Sequence, residues 1–233
     1  MNFEIQNWME EFSHQILTAF PERVCFIGLQ GSYRRGEATR HSDIDPVVVL
    51  DVLHGADLRR YDQAISSLPH REKICGFLSG KREIEAWEPW DLFQFYYDTL
   101  PYYGSLDFLL ARIQERDIRQ AVHLGACNLY HAAVHNAVHE KDPDILRGLF
   151  KSLRFILQAK YYCETHRYLR SRDELLSQLS GMDRQVLASS LWAEKGLDLE
   201  QLSDLLISWA SRLIISYADP PDQTASNETQ KRR

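Results

Sequence analysis

No apolar run in this sequence approaches the length of a membrane span; the longest, such as Val47 to Leu50, are the size of a strand. The opening residues Met1-Asn2-Phe3-Glu4 lack the basic-then-apolar layout of a secretory signal, so the expected location is the cytoplasm and no membrane partner is expected. Cysteine is scarce. Cys25, Cys75, Cys127 and Cys163 lie far apart with no C-x-x-C pair, which argues against a structural zinc site or a disulfide framework and predicts four buried thiols. Positive charge is also short: 27 Lys and Arg against 33 Asp and Glu leave a net charge of −6. Neutralising a nucleic-acid backbone needs a concentrated basic face, so nucleic acid is not the expected partner. Two common phosphate cradles are missing as well. Gly28 and Gly31 do not complete G-x-G-x-x-G, and there is no G-x-x-x-x-G-K-[ST].

What remains is the ordinary balance of a globular protein, 44% hydrophobic and 26% charged, with enough chain for one large domain or two modest ones. Trp8, Phe12, Ile16 and Phe20 recur at helical spacing over residues 5–20, and Pro21 ends that helix. Residues 24–29 and 43–50 read as strands, the second apolar on both faces from Val47 to Leu50, as an interior strand would be. A helix over 57–68, a strand over 74–78, a brief helix over 82–87 closed by Pro89, and a strand over 92–97 follow. From about residue 106 no strand is expected. Helices are predicted around 106–140, 143–166, 171–179, 183–194 and 198–216, the last with Leu202, Leu205, Leu206, Trp209, Leu213 and Ile214 in one stripe. The expectation is therefore an N-terminal α/β (α+β) domain with a mixed sheet over 1–107, an all-α helical bundle over 108–217, and a disordered tail over 218–233.

The informative stretch is Gly31-Ser32-Tyr33-Arg34-Arg35-Gly36 followed by Ser42-Asp43-Ile44-Asp45. Gly31, directly after a strand, lets the backbone turn sharply and approach a ligand. Ser32 adds a hydroxyl and an N–H at a helix start, a natural seat for phosphate oxygens. Arg34, Arg35 and Arg40 bring guanidinium groups suited to two-point phosphate binding. Asp43 and Asp45, two apart at the mouth of a strand, present carboxylates on one side while Ile44 turns to the core. Two such carboxylates repel, and a divalent cation relieves the cost; oxygen-only ligands suit Mg²⁺ or Mn²⁺.

This combination resembles the nucleotidyltransferase superfamily, the polymerase-β-like fold that includes aminoglycoside nucleotidyltransferases. The resemblance implies that Gly31, Ser32, Arg34 and Arg35 hold a nucleoside triphosphate, ATP being the first choice, and that Asp43 and Asp45 bind the metal and serve catalysis. A nucleoside monophosphate would pass to a hydroxyl of a small acceptor, such as an aminoglycoside-like compound, releasing pyrophosphate. It also implies a third carboxylate early on a neighbouring strand; Asp91 and Asp98, flanking the strand expected over 92–97, share that candidacy. The segments Leu153–Tyr162 and Arg170–Leu176 resemble the helical C-terminal domain of bacterial small-molecule nucleotidyltransferases, which makes Lys160 a candidate phosphate contact. Homodimerisation is compatible with the reading.

Other readings stay open: a catalytically silent nucleotide-binding module, or an antitoxin-type transferase that modifies a protein. Arg116 and His123 loosely resemble the Arg…His pair of HEPN ribonucleases. His131, His135 and His139 recur every four residues, but without H-E-x-x-H or a third ligand they read as a helix face rather than a zinc site. The aromatic group Trp87, Trp90, Phe93, Phe95, Tyr96, Tyr97, Tyr102 and Tyr103 is expected to be mostly core.

Overall fold

The computed structural model describes residues 4–189 and 198–218. The chain divides into two compact units, one formed by the residues up to Ile118 together with Gln158–Gln178, the other by Arg119–Leu157 and the described residues from Leu179 on.

The first unit is built on a four-stranded sheet. Helix α1 (Ile5–Ala19) leads to β1 (Val24–Gln30), the short α2 (Gly31–Arg35), β2 (Asp45–Leu50) and α3 (Gly55–Ile65). Then come β3 (Phe77–Gly80), α4 (Lys81–Glu85), α5 (Pro89–Asp98) and β4 (Leu100–Gly104). The strand order is β3-β2-β1-β4, with β2 and β3 parallel and the other pairs antiparallel, so the sheet is mixed as expected. Period-two alternation sends β1 and β2 side chains to two separate cores. Ile27, Leu29, Val48 and Leu50 pack with Trp8, Met9, Phe12 and Ile16 of α1 and Ile65 of α3. Phe26, Val47 and Val49 pack with Ile84 of α4 and with Leu92 and Phe95 of α5. Both faces of the central strands are buried, which is why Val47–Leu50 reads as an unbroken apolar run.

Several expected elements are corrected. The strand expected over 92–97 is helix α5. Pro89 occupies its first turn with φ already suited to a helix, and Asp91 complements the N-terminal end of the dipole. Leu92 and Phe95, three apart, face the sheet, whereas Phe93 and Tyr97, four apart, meet ring to ring at 5.0 Å. The β propensity of consecutive aromatics loses to that packing, and the neighbouring strand starts at Leu100 instead. Strand β2 starts at Asp45, with Ile44 joined to Ile74 by an isolated parallel bridge; β3 accordingly runs over 77–80 rather than 74–78. The helix expected over 57–68 starts earlier, at Gly55, where Asp57 caps it. Its carboxylate accepts from the His54 N–H and from Arg23, which holds its carboxyl down at about 2. The cysteines form no disulfide, but they are not buried: Cys75 is exposed and the other three are partly exposed. The aromatic group divides, with Phe93 and Phe95 buried and Trp87 and Tyr103 exposed.

The remaining helices are α6 (Glu115–His135), α7 (Pro143–Thr165), α8 (Arg172–Gln178), α9 (Gly181–Ser189) and α10 (Leu199–Tyr217), and no strand lies beyond β4 among the described residues. The helix expected over 106–140 is a 3₁₀ stretch over Asp107–Arg112, then α6, then a single π turn at Asn136–Glu140. In the second unit Leu202, Leu206, Trp209 and Leu213 of α10 are buried, with Leu205 and Ile214 at the margin of the stripe. Trp209 donates from Nε1 to Asp183 of α9 at 2.7 Å. The end of the helix expected over 183–194 lies outside the described residues, as does the expected tail from 219 on. Among the described residues, no helix is long and apolar enough to cross a membrane.

Candidate active site

Strand β1 ends by pairing Gln30 with Asp45, the first residue of β2. Gly31 then turns with φ of +72°, a conformation that favours glycine. A Cβ at this position would lie 1.7 Å from Asp45 Oδ2, so the absent side chain is what lets the backbone meet the carboxylate. Asp45 is half-buried, Ile44 fully buried and Asp43 exposed; the two carboxylates thus lie opposite the core-facing isoleucine. Burial pushes the Asp45 carboxyl above its ordinary value, and the Asp43 charge pushes the same way, with Arg35 opposing and Asp98 adding to the rise.

Asp98 reaches this group from the other side of β1. Gly28 has no room for a Cβ, which would meet Phe26 and Thr99 at 2.7 Å and the Leu100 carbonyl at 2.8 Å. That close approach lets the entry to β4 lie against β1, where Gln30 donates to Thr99 Oγ1 at 2.7 Å. Asp98, 5% exposed at the end of α5, accepts from Arg35 Nη1 at 2.7 Å. Arg35 also donates to Glu37 Oε2, while Glu37 Oε1 accepts the backbone N–H of Arg172 at 3.0 Å. Arg35 is thereby committed to carboxylates.

Arg34 behaves in the opposite way. Its Nε is buried and has no hydrogen-bond partner among the described residues. Burial lowers its pKa, the charge of Arg170 lowers it further, and Asp98, Tyr102 and Tyr168 act against that fall. Arg170 was not singled out for a role by the sequence. It is placed by Gln158, fully buried on α7, which donates from Nε2 to the carbonyls of Leu169 and Arg170 at 2.8 and 3.1 Å. Arg170 Nε in turn donates to the Tyr97 carbonyl at 3.1 Å, one residue from Asp98. Tyr168 stacks on Tyr97 with centroids 5.0 Å apart. The sequence signal for this was the resemblance of Leu153–Tyr162 and Arg170–Leu176, which contain Gln158 and Arg170, to a helical domain of nucleotidyltransferases.

The structure therefore gathers Gly31, Asp45, Asp43, Arg34, Arg35, Asp98 and Arg170. Ser32 is partly exposed in the first turn of α2, a helix of five residues. Asp91 is exposed at the opposite end of α5 from Asp98, about 10 Å away along the axis. Arg40 is exposed and bonds the His41 ring, and Lys160 pairs with Glu164 one turn along α7. Among the described residues no three His, Cys, Asp or Glu side chains close on a common metal position.

Residues 10–98 match the family described as nucleotidyltransferase domain. The matched segment, less than half of the chain, is similar to a nucleotidyltransferase domain. It spans every residue of the gathered site except Arg170, and it marks the chain as a transferase. Solved structures with the same fold include spectinomycin adenyltransferase AAD(9) from Enterococcus faecialis, determined with ATP and spectinomycin. That likeness has a TM-score of 0.55 at 13% identity and covers 90% of this chain and 98% of the other. No curated protein matches the chain in sequence.

Proposed function

We propose that the protein transfers a nucleoside monophosphate from a nucleoside triphosphate, ATP first among them, to a hydroxyl of a small acceptor, releasing pyrophosphate. The observation that carries this reading is the Gly31 backbone laid against the Asp45 carboxylate, on which Asp43, Arg35 and Asp98 act, with the buried Nε of Arg34 on the same short helix left without a hydrogen bond. The structural neighbour's ATP and spectinomycin support ATP and a hydroxylated, aminoglycoside-like acceptor as the first pair to test. The transferase core is assigned to residues 1–107 and the helical domain to 108–217, with Gln158–Gln178 returning to the first compact unit. A cytoplasmic setting, where nucleoside triphosphates are abundant, belongs to the same proposal.

The donor set fits a hard divalent cation. Asp45 is pushed toward its neutral form by burial and by Asp43, a cost that a cation offsets, and two carboxylates leave room for phosphate oxygens and water. Asp43 and Asp45 are the residues that would hold Mg²⁺ or Mn²⁺, which supplies Lewis-acid polarisation and neutralises charge on the triphosphate. The chain's own residues do the rest. Gly31 and Ser32 offer backbone donors and a hydroxyl; Arg34 and Arg170 supply guanidinium charge for the phosphates. Asp98 is the favoured third carboxylate over Asp91, because it alone is buried beside Asp45, and Arg35 fixes its orientation. In this role Asp98 accepts the acceptor's hydroxyl proton.

One observation favours the silent nucleotide-binding module: Asp98 is already engaged by Arg35. A pyrophosphate-release screen separates the two readings, using the four nucleoside triphosphates with Mg²⁺ against hydroxylated acceptors that include aminoglycosides. The proposal expects release with at least one pair and its loss in Asp45→Asn. Nucleotide binding without release from any acceptor would leave the silent module standing.

A further inference from the structure

The geometry points to a second metal site, at the C-terminal end of α6 and the π turn after it, where His135 and His139 chelate a borderline transition-metal dication such as Ni²⁺ or Zn²⁺. Both imidazoles are exposed and belong to the second compact unit. The backbone sets where the two side chains start. The α-helix gives way to a single π turn over Asn136–Glu140, which winds wider than the turn before it. Asn136, 2% exposed, locks that turn: its Nδ2 donates to the Asp142 carbonyl and its Oδ1 accepts the Asp142 N–H, both at 3.0 Å.

Ring spacing decides which histidines can share an ion. With metal–nitrogen bonds of about 2.0–2.1 Å, the ion lies about 3.2 Å from the centre of each bound imidazole. The His135 and His139 centroids are 4.9 Å apart. From that spacing the two rings subtend about 100° at the ion, between the square and tetrahedral angles. The His131 and His135 centroids are 6.3 Å apart. Those rings would need about 160°, which leaves His131 outside a chelate. The rings of the closer pair are tilted by 49° rather than stacked, which suits two nitrogens converging on one point. Two protein ligands leave coordination positions for water or for a donor from another molecule. Neutral imidazole nitrogen is a poor ligand for Mg²⁺, so this site and the carboxylate site differ in metal preference.

The test is calorimetric titration of the full chain, free of any affinity tag, with NiCl₂ and separately with ZnCl₂, repeated in an Asp45→Asn background to remove binding at the carboxylates. The expected result is one ion bound at this site, an affinity loss of at least about tenfold in His135→Ala and in His139→Ala, and a change of less than about threefold in His131→Ala. MgCl₂ should give no heat attributable to these histidines. Nickel and zinc affinities that are unchanged in the His135→Ala, His139→Ala double variant would overturn the assignment, as would an equal loss in His131→Ala. Because all three side chains are exposed, unchanged melting temperatures of the metal-free variants serve as the folding control.

Discussion

Replacing Gly31 by alanine isolates the feature on which the site depends, because Gly36 provides a matched control. Both glycines have φ of +72°. A Cβ at Gly36 would meet nothing within 4 Å, whereas one at Gly31 would sit 1.7 Å from Asp45 Oδ2. Left-handed backbone costs an alanine about 1–2 kcal/mol at either position. At about 2–4 °C per kcal/mol for a chain of this size, Gly36→Ala should melt about 2–8 °C lower with its nucleotide chemistry intact. Gly31→Ala carries the same strain and also displaces Asp45. Real Cβ atoms essentially never come within 3.0 Å of such a neighbour, so the carboxylate must retreat by at least about 1.3 Å. A displacement of about 1 Å in a catalytic array can cost about a hundredfold in rate. Scanning calorimetry and pyrophosphate release should therefore show comparable melting temperatures for the two variants, but about a hundredfold less turnover for Gly31→Ala. Turnover in Gly31→Ala within threefold of Gly36→Ala would refute the idea that the close approach to Asp45 organises the site.

The adjacent arginines should respond in opposite ways. Arg34→Met removes a guanidinium whose buried Nε makes no hydrogen bond and whose charge burial and Arg170 disfavour, so stability should hold or rise while triphosphate affinity falls about tenfold to a hundredfold, measured by calorimetry. Arg35→Met removes the Nη1 donor from the buried Asp98 carboxylate, and denaturant melts should show a loss of about 3–5 kcal/mol. Asp45 should also leave a signature in the pH dependence of stability without metal. Its folded pKa is raised, so the folded state binds the proton more tightly than the unfolded chain, and this contribution favours folding at acid pH and fades as pH climbs through the raised value. Subtracting the Asp45→Asn melting curve from wild type across that range should therefore give a difference that falls with rising pH. A flat difference would show that burial and Asp43 do not act on this carboxyl.

The strands that bear Gly31 and Asp45 were legible because their sequence pattern and their burial say the same thing: Val47–Leu50 is apolar on both faces and is buried on both. Position 92–97 was not legible. Its aromatics satisfy strand propensity and helical packing alike, and only Pro89 at the N-terminal turn tips the balance. A strand at 92–97 in place of the helix displaces the neighbouring strand, so alternation does not separate Asp91 from Asp98. Once α5 is a helix, Asp98 stands at its C-terminal end beside β1 and Asp91 at the far end. Arg170 fell inside a segment that resembled a helical domain, but its place beside Arg34 was not legible. Its position depends on Gln158 holding a loop by backbone carbonyls, and on a meeting with Arg34 from 136 residues away along the chain. The two neighbouring arginines likewise looked alike in sequence; burial and the Asp98 carboxylate give them different tasks.

Asp43, Asp45 and Arg34 together should form a metal–triphosphate site. Titration of the protein with ATP in the presence and absence of MnCl₂, followed by the paramagnetic relaxation of water protons, tests it without knowledge of the acceptor. Wild type should form a ternary complex that is lost in the Asp43→Asn, Asp45→Asn double variant and weakened in Arg34→Met. Formation of the same complex with undiminished affinity by the double variant would contradict it.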